Sequence, residues 1–204
     1  MGRIVKKKKT RKNKTKKVYD KGDFSSGDGM LTSVWGPSLW HYMHTMSFNY
    51  PVKPTKQDKK SYKEFVLNLK NVLPCGYCRL NFVKNLKSVP LRKLDLKNRC
   101  NFSKWMFRLH EHINKMLGKK SGLTYKKVQE RYEHFRARCT IDIDKKTNLI
   151  KLKQKTRKRK KKEKGCVEPL YGKKSKCIIK IVPNDKKEPT FQMDDKCKKK
   201  RTTK

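Results

Sequence analysis

Fifty-eight lysines and arginines against 17 acidic residues give this 204-residue chain a formal net charge of +41, and their placement limits how much of it can collapse. Residues 1–30 carry 11 basic against 3 acidic side chains, and residues 140–204 carry 24 against 8. Such tails cannot bury enough apolar surface to offset the entropy of ordering them. With 34% hydrophobic residues overall, the chain is expected to form one small domain of roughly 100 residues rather than two. Residues 31–139 hold all three tryptophans, all five histidines and four of the seven cysteines. Chemistry is therefore expected there, between a basic arm (1–30) and a lysine-rich extension (140–204). No apolar run reaches the roughly 18 residues of a membrane span, and the N-terminal lysine run lacks the apolar block of a signal peptide. A soluble protein that is not Sec-secreted is expected.

Hydrophobic spacing predicts helices through the central region. From Trp35, the residues Leu39, Trp40, Met43, His44, Met46, Ser47 and Tyr50 recur at three and four positions, until Pro51 and Pro54 stop the pattern. Asp58 is expected to cap a second helix with a stripe of Tyr62, Phe65, Val66, Leu69 and Val72. A third opens at the Cys75-Gly-Tyr-Cys78 turn and ends at Pro90. The strongest periodicity runs through Phe102, Trp105, Met106, Leu109, Ile113, Met116 and Leu117 to Gly118. Thr124 is expected to cap a short fifth helix carrying Val128, Tyr132 and Phe135. Gly22, Ser25, Ser26, Gly27 and Gly29 read as a flexible hinge, so order is expected to begin near Leu31. Beyond the charge block at 155–164, residues 165–182 form an apolar island with Cys166 and Cys177, and the Glu168–Gly172 stretch can turn so that they pair.

Seven cysteines are many for a reducing compartment and few for a disulfide-dense secreted scaffold, and an odd count leaves at least one thiol unpaired. Cys75 and Cys78, three apart at a helix start, can close a disulfide with little backbone movement, and the helix N-terminus favours a thiolate. Read alone, the motif stays open between a redox pair, a zinc site and a thioredoxin-like turn. Zinc would need a second ligand pair at metal spacing, and thioredoxin would need strands around the motif. His110 and Asn114 lie four apart on one helix face, and His44 lies four after Trp40. Each pair is either a satisfied polar rim of a helical core or part of the wall around a planar cofactor.

Trp40-x3-His44 followed by Tyr50-Pro51, then Cys75-x2-Cys78, then Trp105-x4-His110-x3-Asn114-x2-Leu117-x-Lys119, resembles the Erv/ALR FAD-linked sulfhydryl oxidases over about 31–139. The Cys166–Cys177 island and the lysine-rich composition resemble most the members encoded by large DNA viruses. The resemblance implies an all-α fold, a four-helix bundle plus a short fifth helix enclosing FAD, usually as a homodimer. It implies that Gly36, Pro37, Ser38, Trp40 and His44 contact FAD from the first helix. From the fourth it implies His110, Glu111, Ile113, Asn114, Leu117 and Lys119, and Tyr132 stands where the family has a tryptophan. Glu111 stands where the family often has asparagine. The family's structural cysteine pair near the fifth helix is matched only by Cys139, which leaves Cys100 as a candidate partner or both as inert thiols.

The expected function is oxidation of client protein dithiols, with Cys75 exchanging with the client and Cys78 passing electrons to flavin. Dioxygen is the expected acceptor, giving hydrogen peroxide. Host cytoplasm or virion is the expected location, from the viral resemblance. Cys166 and Cys177 are expected to act either as a shuttle disulfide relaying client electrons or as a staple on the extension. The rival reading is a basic nucleic-acid-associated protein with a structural CxxC, since +41 attracts phosphate. Its lysine runs lack interleaved aromatics for base stacking.

Overall fold

The computed structural model describes residues 18–27, 29–134, 136–138, 142–143, 150–151, 166, 168–170, 177–179 and 191–193. Six helices follow in order: α1 (Lys21–Phe24), α2 (Thr32–Asn49), α3 (Lys56–Val72), α4 (Gly76–Ser88), α5 (Arg99–Met116) and α6 (Tyr125–Glu133). Helices α2 to α5 are the expected four-helix bundle and α6 the expected short fifth helix, so the all-α reading of the central region holds. Two-residue and three-residue strands follow α6: β1 (Ala137–Arg138), β2 (Asp142–Ile143), β3 (Ile150–Lys151), β4 (Glu168–Pro169), β5 (Cys177–Ile179) and β6 (Phe191–Met193). They pair antiparallel as β1 with β4, β2 with β3 and β5 with β6.

Local chemistry sets the helix ends. Helix α3 begins earlier than Asp58 because Thr55 is its N-cap, and Asp58 returns a bond from the third position to complete a capping box. Asn98 caps α5 by accepting from Asn101 N at 3.0 Å, and Gly118, at φ 66°, supplies the left-handed residue that ends it. Thr124 caps α6 as expected. Where a hinge was expected, Asp20 and Asp23 form a capping box around α1. Phe135 lies outside the described residues.

The core is an aromatic block at one end of the bundle. Tyr50, Phe102 and Trp105 are fully buried, with Tyr50 edge-on to Tyr62 at 4.7 Å and Phe102 stacked on Trp105 at 6.0 Å. Their polar atoms tie down the α4–α5 connection. Tyr50 Oη donates to the Leu96 carbonyl at 3.0 Å, and Trp105 Nε1 donates to the carbonyls of Val89 and Pro90. Asp95, nearly buried, accepts from Arg92 N and from the Arg108 guanidinium at 2.6 Å. The bundle and its longest loop are thus one packed unit. Trp105→Ala is expected to cost roughly 3–5 kcal/mol, because it opens a cavity and leaves the loop without its indole donor. Urea unfolding of the full chain measures this, and a loss below about 1 kcal/mol would show that the aromatic block does not hold the bundle.

Candidate functional site

At the other end of the bundle the helices leave a cleft of about 700 Å³, counting its open mouth. Trp35, Gly36, Leu39, Trp40 and Met43 of α2 form one wall, with Leu109, Ile113, Met116 and Leu117 opposite. The floor comes from Leu69 and Leu73 and from Cys78, Phe82 and Asn85 of α4. Spacing places the last three together, since residues 78, 82 and 85 share a helix face. The walls are apolar apart from Thr32, Asn85 and the sulfur.

Cys75 and Cys78 differ in environment although one helical turn separates them. Cys75 is the N-cap of α4, and its Sγ accepts from Cys78 N at 3.2 Å. The Cys78 side chain, then the Cys78 amide, hold the Cys75 thiol below its ordinary range. Burial pushes the Cys78 thiol up, the neighbouring Cys75 adds to this, and the Thr32 hydroxyl 3.6 Å from Cys78 Sγ opposes it. An accessible low-pKa thiol beside a cleft-facing one suits exchange at the first and hand-over at the second. Both stand as free thiols in the structure.

Next to the cleft lies a layer of rings. Trp40 stacks flat on His110, centroids 3.9 Å apart and 5° from parallel. His110 Nδ1 lies 2.9 Å from His44 Nε2, and Tyr132 stands 5.3 Å from the His44 ring, with its hydroxyl 3.3 Å from His41 Nδ1. Burial lowers the His44 pKa to about 3 and that of His110 to about 4, so both are neutral near pH 7. His44 Nδ1 is buried without a hydrogen-bond partner. An orphaned buried nitrogen beside a flat aromatic pair and an apolar cleft fits a planar ligand with polar edges, as a flavin dinucleotide is.

The residues expected to touch a cofactor are brought together in part. Gly36, Trp40, Ile113 and Leu117 line the cleft, while His44, His110 and Tyr132 form the adjoining ring layer. Pro37 is half-buried and Ser38 exposed on α2, and neither lines the cleft. The Asn114 amide is taken up by Glu111 at 3.0 Å, and Lys119 follows the Gly118 turn on the exposed side, its amide bonded to the Asn114 carbonyl. Thr32, Trp35, Met43, Phe82 and Asn85 were not among the expected residues, although the i, i+4, i+7 spacing from Cys78 pointed to the last two.

The other cysteines lie elsewhere. Cys100 is a free, exposed thiol on the first turn of α5, so of the two alternatives left by the sequence its bond to Cys139 is not made. The reason lies in the strand after α6: Ala137 and Arg138 pair with Pro169 and Glu168 and draw the chain into the extension, with Leu170 N donating to the Arg136 carbonyl at 2.7 Å. Cys139 lies outside the described residues. Cys166 is disulfide-bonded, and Cys177 is described only as strand backbone, so a Cys166–Cys177 bond falls outside the described side chains. Cys166 shares a surface cavity with Thr45, Phe48 and Asn49 at the C-terminal end of α2. Thr32, which touches Cys78, is at the other end, roughly 20 Å away along the helix. Among the described residues, no group of three His, Cys, Asp or Glu could hold a metal ion.

The Erv1 / Alr family model matches residues 37–133. A probable FAD-linked sulfhydryl oxidase of Acanthamoeba polyphaga mimivirus is 38% identical over 104 residues, 51% of this chain and 72% of the relative. An FAD-linked sulfhydryl oxidase of African swine fever virus is 33% identical over 98 residues, 47% of this chain and 80% of the relative. The FAD-linked sulfhydryl oxidase ERV1 of Arabidopsis thaliana is 36% identical over 84 residues, 41% of this chain, and the match spans 42% of that longer relative. The crystal structure of the yeast Erv1 core is 24% identical, with a TM-score of 0.45, over 60% of this chain and 96% of that one. With identity of that level across most of two viral relatives, the chain belongs to the Erv1/Alr family.

Proposed function

We propose that this chain is an FAD-linked sulfhydryl oxidase that converts client protein dithiols to disulfides and delivers the electrons to dioxygen, giving hydrogen peroxide. One observation carries the reading: Cys75, half-buried, caps α4 outside the cleft while Cys78, one turn on, faces an apolar cleft bordered by the Trp40–His110 stack. A client thiolate attacks Cys75 Sγ of the oxidised pair, and the Cys75–Cys78 bond breaks with its electrons on Cys78. The second client thiolate then attacks the client sulfur of this mixed disulfide, forming the client disulfide and expelling Cys75 as a thiolate. The Cys75–Cys78 dithiol would return to the disulfide by giving up two electrons and two protons, and FAD, held by Trp40, Ile113 and Leu117, would supply the two-electron acceptor between that pair and dioxygen, with peroxide as the product.

Everything else is done by the chain's own side chains. Trp40, Ile113 and Leu117 would hold the cofactor through the cleft walls, with His44 Nδ1 as a polar contact from the ring layer. The leucine and methionine walls give Cys78 an apolar surround on its cleft side. The Cys78 side chain, and after it the amides of the α4 N-terminus, favour Cys75 as the leaving thiolate. The nucleic-acid reading rests on the charge of the tails, whose lysine runs lie outside the described residues.

Cys75→Ser and Cys78→Ser are each expected to abolish oxygen consumption with dithiothreitol while flavin stays bound, because the thiols move electrons and the helix walls hold the ring. Full turnover in either variant overturns the assignment.

The buried histidines predict an acid response. Their folded pKa values lie below the ordinary 6.5, so their contribution to stability is complete above pH 6.5 and drains away as pH falls toward 4 and then 3. The melting temperature should drop by roughly 10 °C between pH 7 and pH 5, and by less in His110→Gln. A flat profile would mean that the pair is not buried neutral.

Cys166 sits at the far end of α2 from Cys78, so it reads as a staple rather than a relay. Cys166→Ser should lose about 2–4 kcal/mol of stability yet oxidise dithiothreitol and a protein dithiol at parental rates. Selective loss with the protein substrate would restore the shuttle.

A further inference from the structure

The chain entering α2 lies across the redox turn. Met30 N donates to the Pro74 carbonyl at 2.7 Å, and Trp35 Nε1 donates to the Met30 carbonyl at 3.0 Å. Gly29 runs so close that a side-chain carbon there would meet the Pro74 oxygen at 3.1 Å and Cys75 Cα at 3.2 Å. These contacts fix where α2 begins, and Thr32 is its first residue. Leu31, the N-cap, offers no side-chain bond to the helix. The Thr32 hydroxyl is not spent on capping, and instead lies 3.6 Å from Cys78 Sγ.

A hydroxyl at that sulfur matters because the surroundings of Cys78 disfavour charge. Burial and Cys75 oppose its ionisation, while Thr32 and Arg79 favour it. The Arg79 side chain is already committed to the Leu73 carbonyl at 2.6 Å. The cleft walls from α3 and α5, namely Leu69, Leu109, Ile113, Met116 and Leu117, bring no titratable group. Once a client sulfur is bonded to Cys75, that position bears no charge and ceases to oppose Cys78. The Thr32 hydroxyl remains.

We propose that Thr32 is a positioning residue of the redox pair: its hydroxyl donates to the Cys78 thiolate released by disulfide exchange and keeps that sulfur ionised at the cleft wall. The inference rests on the sulfhydryl-oxidase reading for what Cys78 does next. No electrons pass through Thr32. The client sulfur bonds to Cys75, the Cys75–Cys78 bond breaks with its electron pair on Cys78, and Thr32 keeps its proton while sharing it.

The test compares Thr32→Val, which keeps the shape and removes the donor, with Thr32→Ser, which keeps the donor. Both are made in the full chain carrying Cys75→Ser, so that position 75 holds no thiolate. The pH dependence of iodoacetamide alkylation at Cys78, read by peptide mass spectrometry to separate it from exposed Cys100, should shift upward by about one pH unit in Thr32→Val. That is about a tenfold loss of thiolate below the midpoint. Thr32→Ser should hold the parental midpoint, and the long-wavelength absorbance of Cys78 thiolate against flavin should fall only in Thr32→Val. A Thr32→Val profile that superimposes on the parent, or a Thr32→Ser shift as large as that of valine, overturns the proposal. Failure of the unsubstituted chain, with Cys75 intact, to bind flavin and oxidise dithiothreitol would overturn the oxidase reading instead, and the alkylation midpoint, which needs no turnover, decides the Thr32 bond in either case.

Discussion

The packing of α2 against α5 is the contact on which the rest of the molecule depends. Near the Tyr50 end the two helices are joined by large rings, and Tyr50, Phe102 and Trp105 leave no exposed surface. Toward the Thr32 end Gly36, Leu39, Ile113 and Leu117, with Trp35 and Trp40, line a cleft between the helices instead of filling it. A domain this small cannot hold an open cleft without a dense region to support it, because each unfilled space forfeits dispersion contacts. Fold stability and site therefore occupy opposite ends of one helix pair.

Between those ends lies the layer of Trp40, His44, His110 and Tyr132, which belongs to both. Its histidines are buried deeply enough to be neutral, yet one nitrogen of His44 has no partner. An unmet buried donor or acceptor costs roughly 1–3 kcal/mol, which a bound group with polar edges can return. The same layer then couples ligand occupancy to folding, since binding to the native state alone raises its stability.

The two redox sulfurs show how little sequence distance is needed to create different chemistry. Cys75 as N-cap uses the helix's unsatisfied amides, while Cys78 has turned inward onto the face shared with Phe82 and Asn85. The N-terminal segment adds a third influence. Its backbone bonds at Met30 and the close pass at Gly29 lock it to the redox turn, so residues outside the predicted first helix shape the site.

The sequence by itself determined the helices and their order, because apolar periodicity, the Pro51, Pro54 and Pro90 stops, Thr124 and Gly118 are local signals that act within a few residues. It also determined the Cys75–Cys78 pair, since a three-residue separation at a helix start constrains both thiols whatever surrounds them. Asp58 marked the start of α3 three residues late because in this capping box the acid is the third helical residue and threonine is the cap, and only the backbone shows which of the two begins the helix. Tertiary structure alone decided what depends on contacts between distant segments. Cys100 stays unpaired while β1 pairs with β4, His44 meets His110 across 66 residues of chain, and Thr32 reaches Cys78 across 46. None of these leaves a periodic or compositional trace, because each is a distance set by how helices and strands are placed, not by what any one of them prefers.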